Sequence, residues 1–219
     1  MERDGLRAAM REFPVFAGLS PEQLDRLVGQ ASVTRIPKKA LFFTEARAAQ
    51  GMHVLLTGKV KLFKMSEEGK EQTIFVFGPG EPFCLCSSFS DGRLPANLGA
   101  LEDSEVLVID PVRFEAMVRE DPSILLNMMR VMARRLKDAM DMIDSLSLRQ
   151  VPSRLAAYFL SREIGGRVVL DISYRELSKI IGVTPEALSR ALRRMADDGL
   201  VAMDGSEILL LDHAALAAC

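Results

Sequence analysis

Residues 173–199 read SYRELSKIIGVTPEALSRALRRMADDG, and this stretch decides the fold. Ser173, with Glu176 three positions on, is the capping-box pattern, in which each side chain bonds the other residue's backbone N–H. It opens a helix that Gly182 stops, because glycine takes the left-handed conformation of a helix end without strain. Thr184-Pro185-Glu186 opens a second helix. Threonine is the cap, proline needs no N–H partner in the first turn, and the acid complements the helix dipole. This helix runs to about Asp197 and ends at Gly199. Residues 200–203 and 207–211 then flank Asp204-Gly205, a hairpin signal. Helix, short turn, helix and hairpin make a winged helix-turn-helix.

Within the second helix Leu188, Leu192 and Met195 share one face and are expected to pack inward. Glu186, Ser189, Arg190 and Arg193 fall on the opposite face, at spacings of 3, 4 and 7 from Glu186. Arg pairs with guanine O6 and N7, Glu accepts from cytosine N4, and Ser reaches either. A solvated charged face is the plain alternative, and four polar residues alone would not displace it. The two capped helix starts, the Gly182 turn and the hairpin do. Arg193 and Arg194 lie further along and are expected at phosphate. Residues 149–219 carry nine Lys plus Arg against nine Asp plus Glu. Charge for phosphate must therefore gather locally, at Lys179, Arg190, Arg193 and Arg194, with Thr184 at the helix start.

Upstream, Asp121-Pro122 opens a run to about Leu148 without Gly or Pro. Leu125, Met129, Met132, Leu136, Ala139, Ile143 and Leu146 recur at steps of 4 and 3, the heptad seam of a two-stranded coiled coil. The seam predicts a homodimer. A helix packed only on its own domain would carry a broader apolar face, whereas Arg130, Arg134, Lys137, Asp138 and Asp141 flank this one. Met117, Met128, Met129, Met132, Met140 and Met142 cluster near the helix and are expected to pack it against the preceding domain, since flexible methionine fills irregular cores. Between this helix and the reader, Ser153 is expected to cap a helix over 153–164 that Gly165-Gly166 ends, followed by a strand over 168–172.

The first half has another rhythm. Ser20-Pro21-Glu22-Gln23 opens a short helix over 20–29. Short apolar runs follow at 40–44, 52–56, 59–64, 72–77, 97–101 and 105–109, punctuated by Gly and Pro, which reads as an antiparallel sandwich or barrel. A short helix over 111–119 closes it. The 219 residues are 48% apolar and 26% charged, which excludes disorder and collagen-like structure. Twenty-eight basic residues against thirty acidic give a net charge of −2, so any nucleic-acid contact is local. No apolar run is long enough for a membrane span, no membrane partner is expected, and the charged N-terminus lacks a signal-peptide core. Three cysteines fit reduced thiols in the cytoplasm, and two histidines are too few for an imidazole-built catalytic or zinc site.

From about residue 13 to its end the chain resembles the CRP/FNR superfamily of bacterial transcription regulators. The resemblance is carried by residues 13–20 (FPVFAGLS), 68–71 (EGKE), 77–81 (FGPGE), 132–136 (MARRL) and 181–190 (IGVTPEALSR). It implies an α+β protein in three parts. These are an effector-sensing, cyclic-nucleotide-binding-like β-roll over 1–120, a dimerisation helix over 121–148 and a winged helix-turn-helix over 149–219. It implies a cytoplasmic homodimer that binds double-stranded DNA at a palindrome, contacts RNA polymerase and is no enzyme. Glu186, Ser189 and Arg190 match the Glu-x-x-Ser-Arg pattern of the FNR-like branch, whereas the cyclic-AMP branch has Arg where this chain has Pro185. The implied half-site is TTGA-like, with Arg190 on guanine, Glu186 on the cytosine opposite and Ser189 on a neighbouring thymine. The turn at residues 66–71 resembles a loop that relatives use to touch RNA polymerase, a charged hairpin tip being the plain alternative.

The cyclic-nucleotide branch holds a phosphate with a Glu, an Arg and a Ser. Aligned on Phe89 and Gly92, those positions carry Leu85, Pro95 and Ala96, so the clamp is missing and cyclic AMP is not expected. The FNR prototype holds an iron–sulfur cluster on four cysteines, and Cys84, Cys86 and Cys219 are too few for one. Phe83, Cys84, Leu85, Cys86, Pro95 and Ala96 mark the candidate effector pocket. Its apolar character suits a redox, nitric oxide or hydrophobic signal, read through haem or an aromatic small molecule. His53 is the candidate haem ligand, a packed histidine being the plainer reading. Cys84 and Cys86, two apart, would share a strand face and form a redox pair, ordinary buried thiols being plainer. Two other classes remain: a cyclic-nucleotide signalling module without DNA function, and a thiol peroxidase. The intact helix-turn-helix opposes the first. Against the second, no His or Arg sits beside Cys84 or Cys86 in sequence.

Overall fold

The computed structural model describes residues 3–44, 51–84 and 93–219. They form two compact units, 1–69 with 74–137, and 70–73 with 138–219. In the first, two helices, α1 (Arg3–Glu12) and α2 (Pro21–Gln30), precede eight strands. Ser20 caps α2 through the full capping box: its Oγ accepts from Gln23 N, and Gln23 Oε1 accepts from Ser20 N at 2.6 Å. The strands are β1 (Ser32–Ile36), β2 (Leu41–Phe43), β3 (Met52–Thr57), β4 (Val60–Met65), β5 (Glu71–Phe77), β6 (Pro82–Phe83), β7 (Asn97–Ala100) and β8 (Ser104–Ile109). They build two four-stranded sheets with strand orders β1-β8-β3-β6 and β2-β7-β4-β5. Apart from β4 and β5, which are neighbours in one sheet, successive strands alternate between the sheets; the spacing predicted an antiparallel sandwich or barrel, and the resemblance a β-roll.

Strand β3 shows why the run reads as unbroken apolar sequence. It is buried on both faces. Met52, Val54 and Leu56 pack with Leu6, Met10, Phe16, Leu24 and Leu27 from the N-terminal helices and turn. Leu55, on the other face, joins Ile36, Val60, Phe77, Leu98 and Val106 from both sheets inside the roll. Gly58 joins β3 to β4 at φ +85, and a Cβ there would lie 2.4 Å from the Asp103 carbonyl oxygen, so only glycine fits. Strand β1 has no counterpart among the predicted runs. It is a largely exposed, polar edge strand, and its cross-strand pair Arg35–Glu105 at 2.9 Å leaves no apolar signature.

Asp110 caps α3 (Pro111–Glu120), accepting from Val112 N and Arg113 N. The long helix α4 follows (Ser123–Leu148, 26 residues). Its first half carries a second apolar stripe, which the heptad count overlooked. Ile124 and Met128 are buried, and Val131 packs beside them, in the core shared with α1, α2 and β3. Of the methionines expected to pack the helix inward, Met128 is buried and Met117 packs against the same core, while Met129, Met132 and Met140 are exposed.

The second unit packs α5 (Val151–Leu160), α6 (Tyr174–Ile181), α7 (Pro185–Asp197) and α8 (His213–Ala218) with a three-stranded sheet, order β10-β11-β9. Its strands are β9 (Arg167–Val169), β10 (Val201–Asp204) and β11 (Glu207–Leu210). Three expectations are corrected here. The N-cap of α5 is Gln150, with Pro152 in the first turn, so Ser153 is no cap; its hydroxyl donates to the Cys219 carbonyl at 2.5 Å. The helix ends at Leu160, short of residue 164. Strand β9 covers Arg167–Val169, short of the residue 172 expected for it, and α8 opens at His213, capped by Asp212, which accepts from Ala215 N at 2.9 Å.

Candidate nucleic-acid interface

The reader helix is built by local sequence. Ser173 Oγ accepts from Glu176 N to start α6. Gly182, at φ +79, ends it, with the N–H groups of Gly182 and Val183 both directed to the Ser178 carbonyl. Thr184 Oγ1 accepts from Ala187 N to start α7. Leu188, Leu192 and Met195 are buried with Leu155, Phe159, Leu177, Ile181, Val201 and Ile208. That seating turns Glu186, Ser189, Arg190 and Arg193 to the exposed side. Burial of one helix face thus fixes which side chains face outward.

Electrostatics on that face suit base reading. Its own backbone N–H, the Thr184 hydroxyl and then the Arg190 charge hold the Glu186 carboxyl below the usual glutamate range. It stays an acceptor at neutral pH, as a cytosine amine requires. Arg190 and Arg193 have no ion-pair partner among the described residues, which leaves their donors available. Arg194 Nε lies 3.8 Å from Asp198 Oδ2 in an exposed pair. Lys179 is half-buried, its ammonium 2.8 Å from Glu176 Oε1 and 2.9 Å from Glu71 Oε2, so a phosphate would have to draw it from two carboxylates.

Two long-range contacts brace this face and carry no sequence signal. Arg154 sends its guanidinium to three carbonyls: Leu146 at 2.9 Å, Arg149 at 3.0 Å and Ile181 at 3.1 Å. It therefore closes the C-terminal ends of α4 and α6 together. Tyr174 Oη donates to the Gly205 carbonyl at 3.0 Å, pinning the β10–β11 turn to the start of α6. The partners lie 27 and 31 residues apart in the chain, beyond any periodic pattern.

The seam residues divide. Leu125, Met129, Met132, Leu136 and Ile143 are exposed along α4 in the single chain, and Ala139 is half-buried. Leu146 is half-buried too, with Cδ2 against the Gly182 turn.

Of the candidate effector residues, Leu85 and Cys86 lie outside the described residues. Phe83 and Cys84 are buried inside the roll, Ala96 is buried and Pro95 is exposed. Strand β6 ends at Phe83, and Cys84 has φ +61, so Cys84 does not continue it as the strand-face pairing with Cys86 required. His53 is 3% exposed, and the Phe42, Phe43 and Phe83 rings surround it at centroid distances of 5.2–6.0 Å. Its Nδ1 lies 3.2 Å from the Gly51 carbonyl oxygen, and burial pushes its pKa down to about 4. A haem could reach this ring only by displacing phenylalanines, so the residue as packed does not fit that role. Among the described residues no group of three or more His, Cys, Asp or Glu is placed to hold a metal ion, and no helix is long and apolar enough to cross a membrane.

Comparison with known proteins accounts for both units. Residues 33–121 match the family model for a cyclic nucleotide-binding domain, and residues 153–219 that for a Crp-like helix-turn-helix domain. The cyclic AMP receptor protein of Thermus thermophilus is 30% identical over 209 residues, 94% of this chain and 96% of that protein. The fumarate and nitrate reduction regulatory protein of Salmonella typhimurium is 28% identical over 90% of this chain and 81% of its own length. The solved structure of a CooA mutant from Carboxydothermus hydrogenoformans shares the fold, with a TM-score of 0.77 at 22% identity, over 92% of this chain and 90% of that one. Matched over 94% of its length by the Thermus relative and by both domain models in turn, the chain belongs to the CRP/FNR superfamily of DNA-binding transcription regulators.

Proposed function

We propose that the chain works as a homodimer on an inverted TTGA-like operator and is switched by a small hydrophobic effector in the β-roll. Residues 1–120 sense, 121–148 dimerise and 149–219 read DNA. The observation that carries the operator is the exposed trio Glu186, Ser189 and Arg190 on one face of a doubly supported helix. This trio has the spacing of the FNR-like branch, and Pro185 stands where the cyclic-AMP branch has Arg. Arg190 reads the guanine, Glu186 the opposing cytosine and Ser189 a thymine. Lys179, Arg193, Arg194 and the Thr184 end of the helix hold phosphate.

Cyclic AMP is not the proposed effector, although the Thermus thermophilus relative is named for it. Pro95 and Ala96 stand at two of the three clamp positions and offer no side-chain donor. Haem is disfavoured by the phenylalanine cage around His53. Selection from random duplexes tests the operator, and an inverted TTGA-like repeat is expected. Arg190→Ala should cost about 1–3 kcal/mol on that repeat and relax choice at one base pair. A loss equal on all sequences would make Arg190 a phosphate contact and overturn its assignment.

A further inference from the structure

A groove of about 260 Å³ lies beside α4 in the first unit, between the Pro14-Val15 turn and the segment 79–82. Pro14, Val15, Pro79, Pro82 and Val131 give it apolar walls. Three arginines line it, Arg130, Arg134 and Arg135, against a single acidic residue, Glu81. That carboxylate is already engaged. Its Oε1 accepts from Arg135, and its Oε2 accepts from Gly78 N at 2.7 Å. Arg134 has no hydrogen-bond or ion-pair partner among the described residues. Arg130 is held at the wall without being neutralised. Its Nη1 donates to Asn127 Oδ1 at 2.9 Å, and Asn127 Nδ2 donates to the Ala17 carbonyl, also at 2.9 Å.

From this geometry we infer that the groove is a binding site for a small organic anion, a phosphate or carboxylate group on a compact apolar or aromatic body. The charge excess sets the sign of the ligand. Guanidinium forks match the oxygens of such groups bidentately. The apolar walls favour a body over a bare ion, and the volume suits a small molecule rather than a folded partner. The site stays open in a dimer built on the heptad seam. At about 100° per residue, Arg134 lies nearly opposite Leu136, and Arg130 lies about 100–120° round the helix from Met129 and Leu136, both turned away from the seam. Nor is it the roll interior: Val15 and Val131 pack in the core of the N-terminal helices, whereas Phe83 and Cys84 pack inside the roll. An anion here competes with Glu81 for Arg135. The Arg135 guanidinium carbon lies 5.0 and 4.9 Å from the centres of the Phe75 and Phe77 rings, so a shift in that pair bears directly on the aromatic lining of the sheet.

The test is calorimetric titration of the full chain with phenyl phosphate, alongside phenol and inorganic phosphate. Phenyl phosphate should saturate at one per chain and bind about tenfold tighter than either control. The double substitution Arg130→Gln with Arg134→Gln should weaken it at least tenfold. Both side chains are exposed, so the melting temperature of the free variant should match the parent. Absence of saturable binding, phenyl phosphate no tighter than inorganic phosphate, or affinity retained in the double variant would each overturn the site. None of these outcomes depends on whether the chain binds DNA.

Discussion

His53 points into the roll from β3, and its surroundings decide its charge. Three phenylalanine rings and 3% exposure exclude the water that an imidazolium needs, and the Gly51 carbonyl only partly compensates. The folded ring therefore takes a proton only near pH 4, whereas an unfolded one does so near 6.5. The unfolded chain binds the extra proton, so the contribution is full above pH 6.5 and is lost as pH falls through that value toward 4. The gap corresponds to about 3 kcal/mol across the window. Denaturant melts at pH 7, 6 and 5 should show the decline, and His53→Phe should flatten it. An unchanged slope in that variant would place the acid sensitivity elsewhere. Asp121, Glu163 and Glu186 are also held below their ordinary values, but they lose stability only around and below pH 4.5. The sequence showed a lone histidine in an apolar run. That the run has two buried faces, with His53 on the roll side, required the sheet.

Among the elements, the helix-turn-helix was legible because each boundary has a chemical signal within four residues: Ser173, Gly182, Thr184 and Pro185. Strand β1, helix α8 and the double stripe of α4 were not, for different reasons. An edge strand of Ser, Val, Thr, Arg and Ile has no alternation to detect. Helix α8 has only six residues, capped by Asp212 immediately after a strand. On α4, one stripe faces a core built largely from the N-terminal helices and β3, distant in sequence, which a heptad count cannot separate from a partner's face. Arg154 belongs to the same class of long-range information. Bonds from a charged donor to helix-terminal carbonyls contribute about 1.5–3 kcal/mol each when well formed. Arg154→Gln keeps some length and polarity but loses the fork. Thermal unfolding of the second unit should therefore fall by about 2 kcal/mol or more, with operator affinity reduced because the α6–α7 turn loses its brace. A variant as stable as the parent would mean that water replaces those bonds.

At the scale of the whole molecule, the proposed operator calls for two readers. Residues 149–219 are electrically neutral, with nine cations against nine anions, so one unit has little general attraction to a duplex. Specific contacts from one helix cover only a half-site, and half-sites one helical turn apart, about 34 Å, call for a two-fold partner. In the proposed homodimer, the exposed line Leu125, Met129, Met132, Leu136 and Ile143 is the self-complementary surface. Leu136 is 65% exposed in the single chain, so Leu136→Glu leaves each chain's own core intact while placing like charges opposite each other across the seam. Sedimentation should then report a monomer whose melting temperature changes little beyond the loss of association. Linking two sites multiplies affinity by about 10²–10⁴, so binding to the full inverted repeat should drop by that factor, while binding to an isolated half-site stays weak and unchanged. If the variant remains a dimer, the chains associate through another face. If it is monomeric yet binds the full repeat as the parent does, the two-reader account fails and the neutral unit must find its affinity in contacts that the reader helix does not supply.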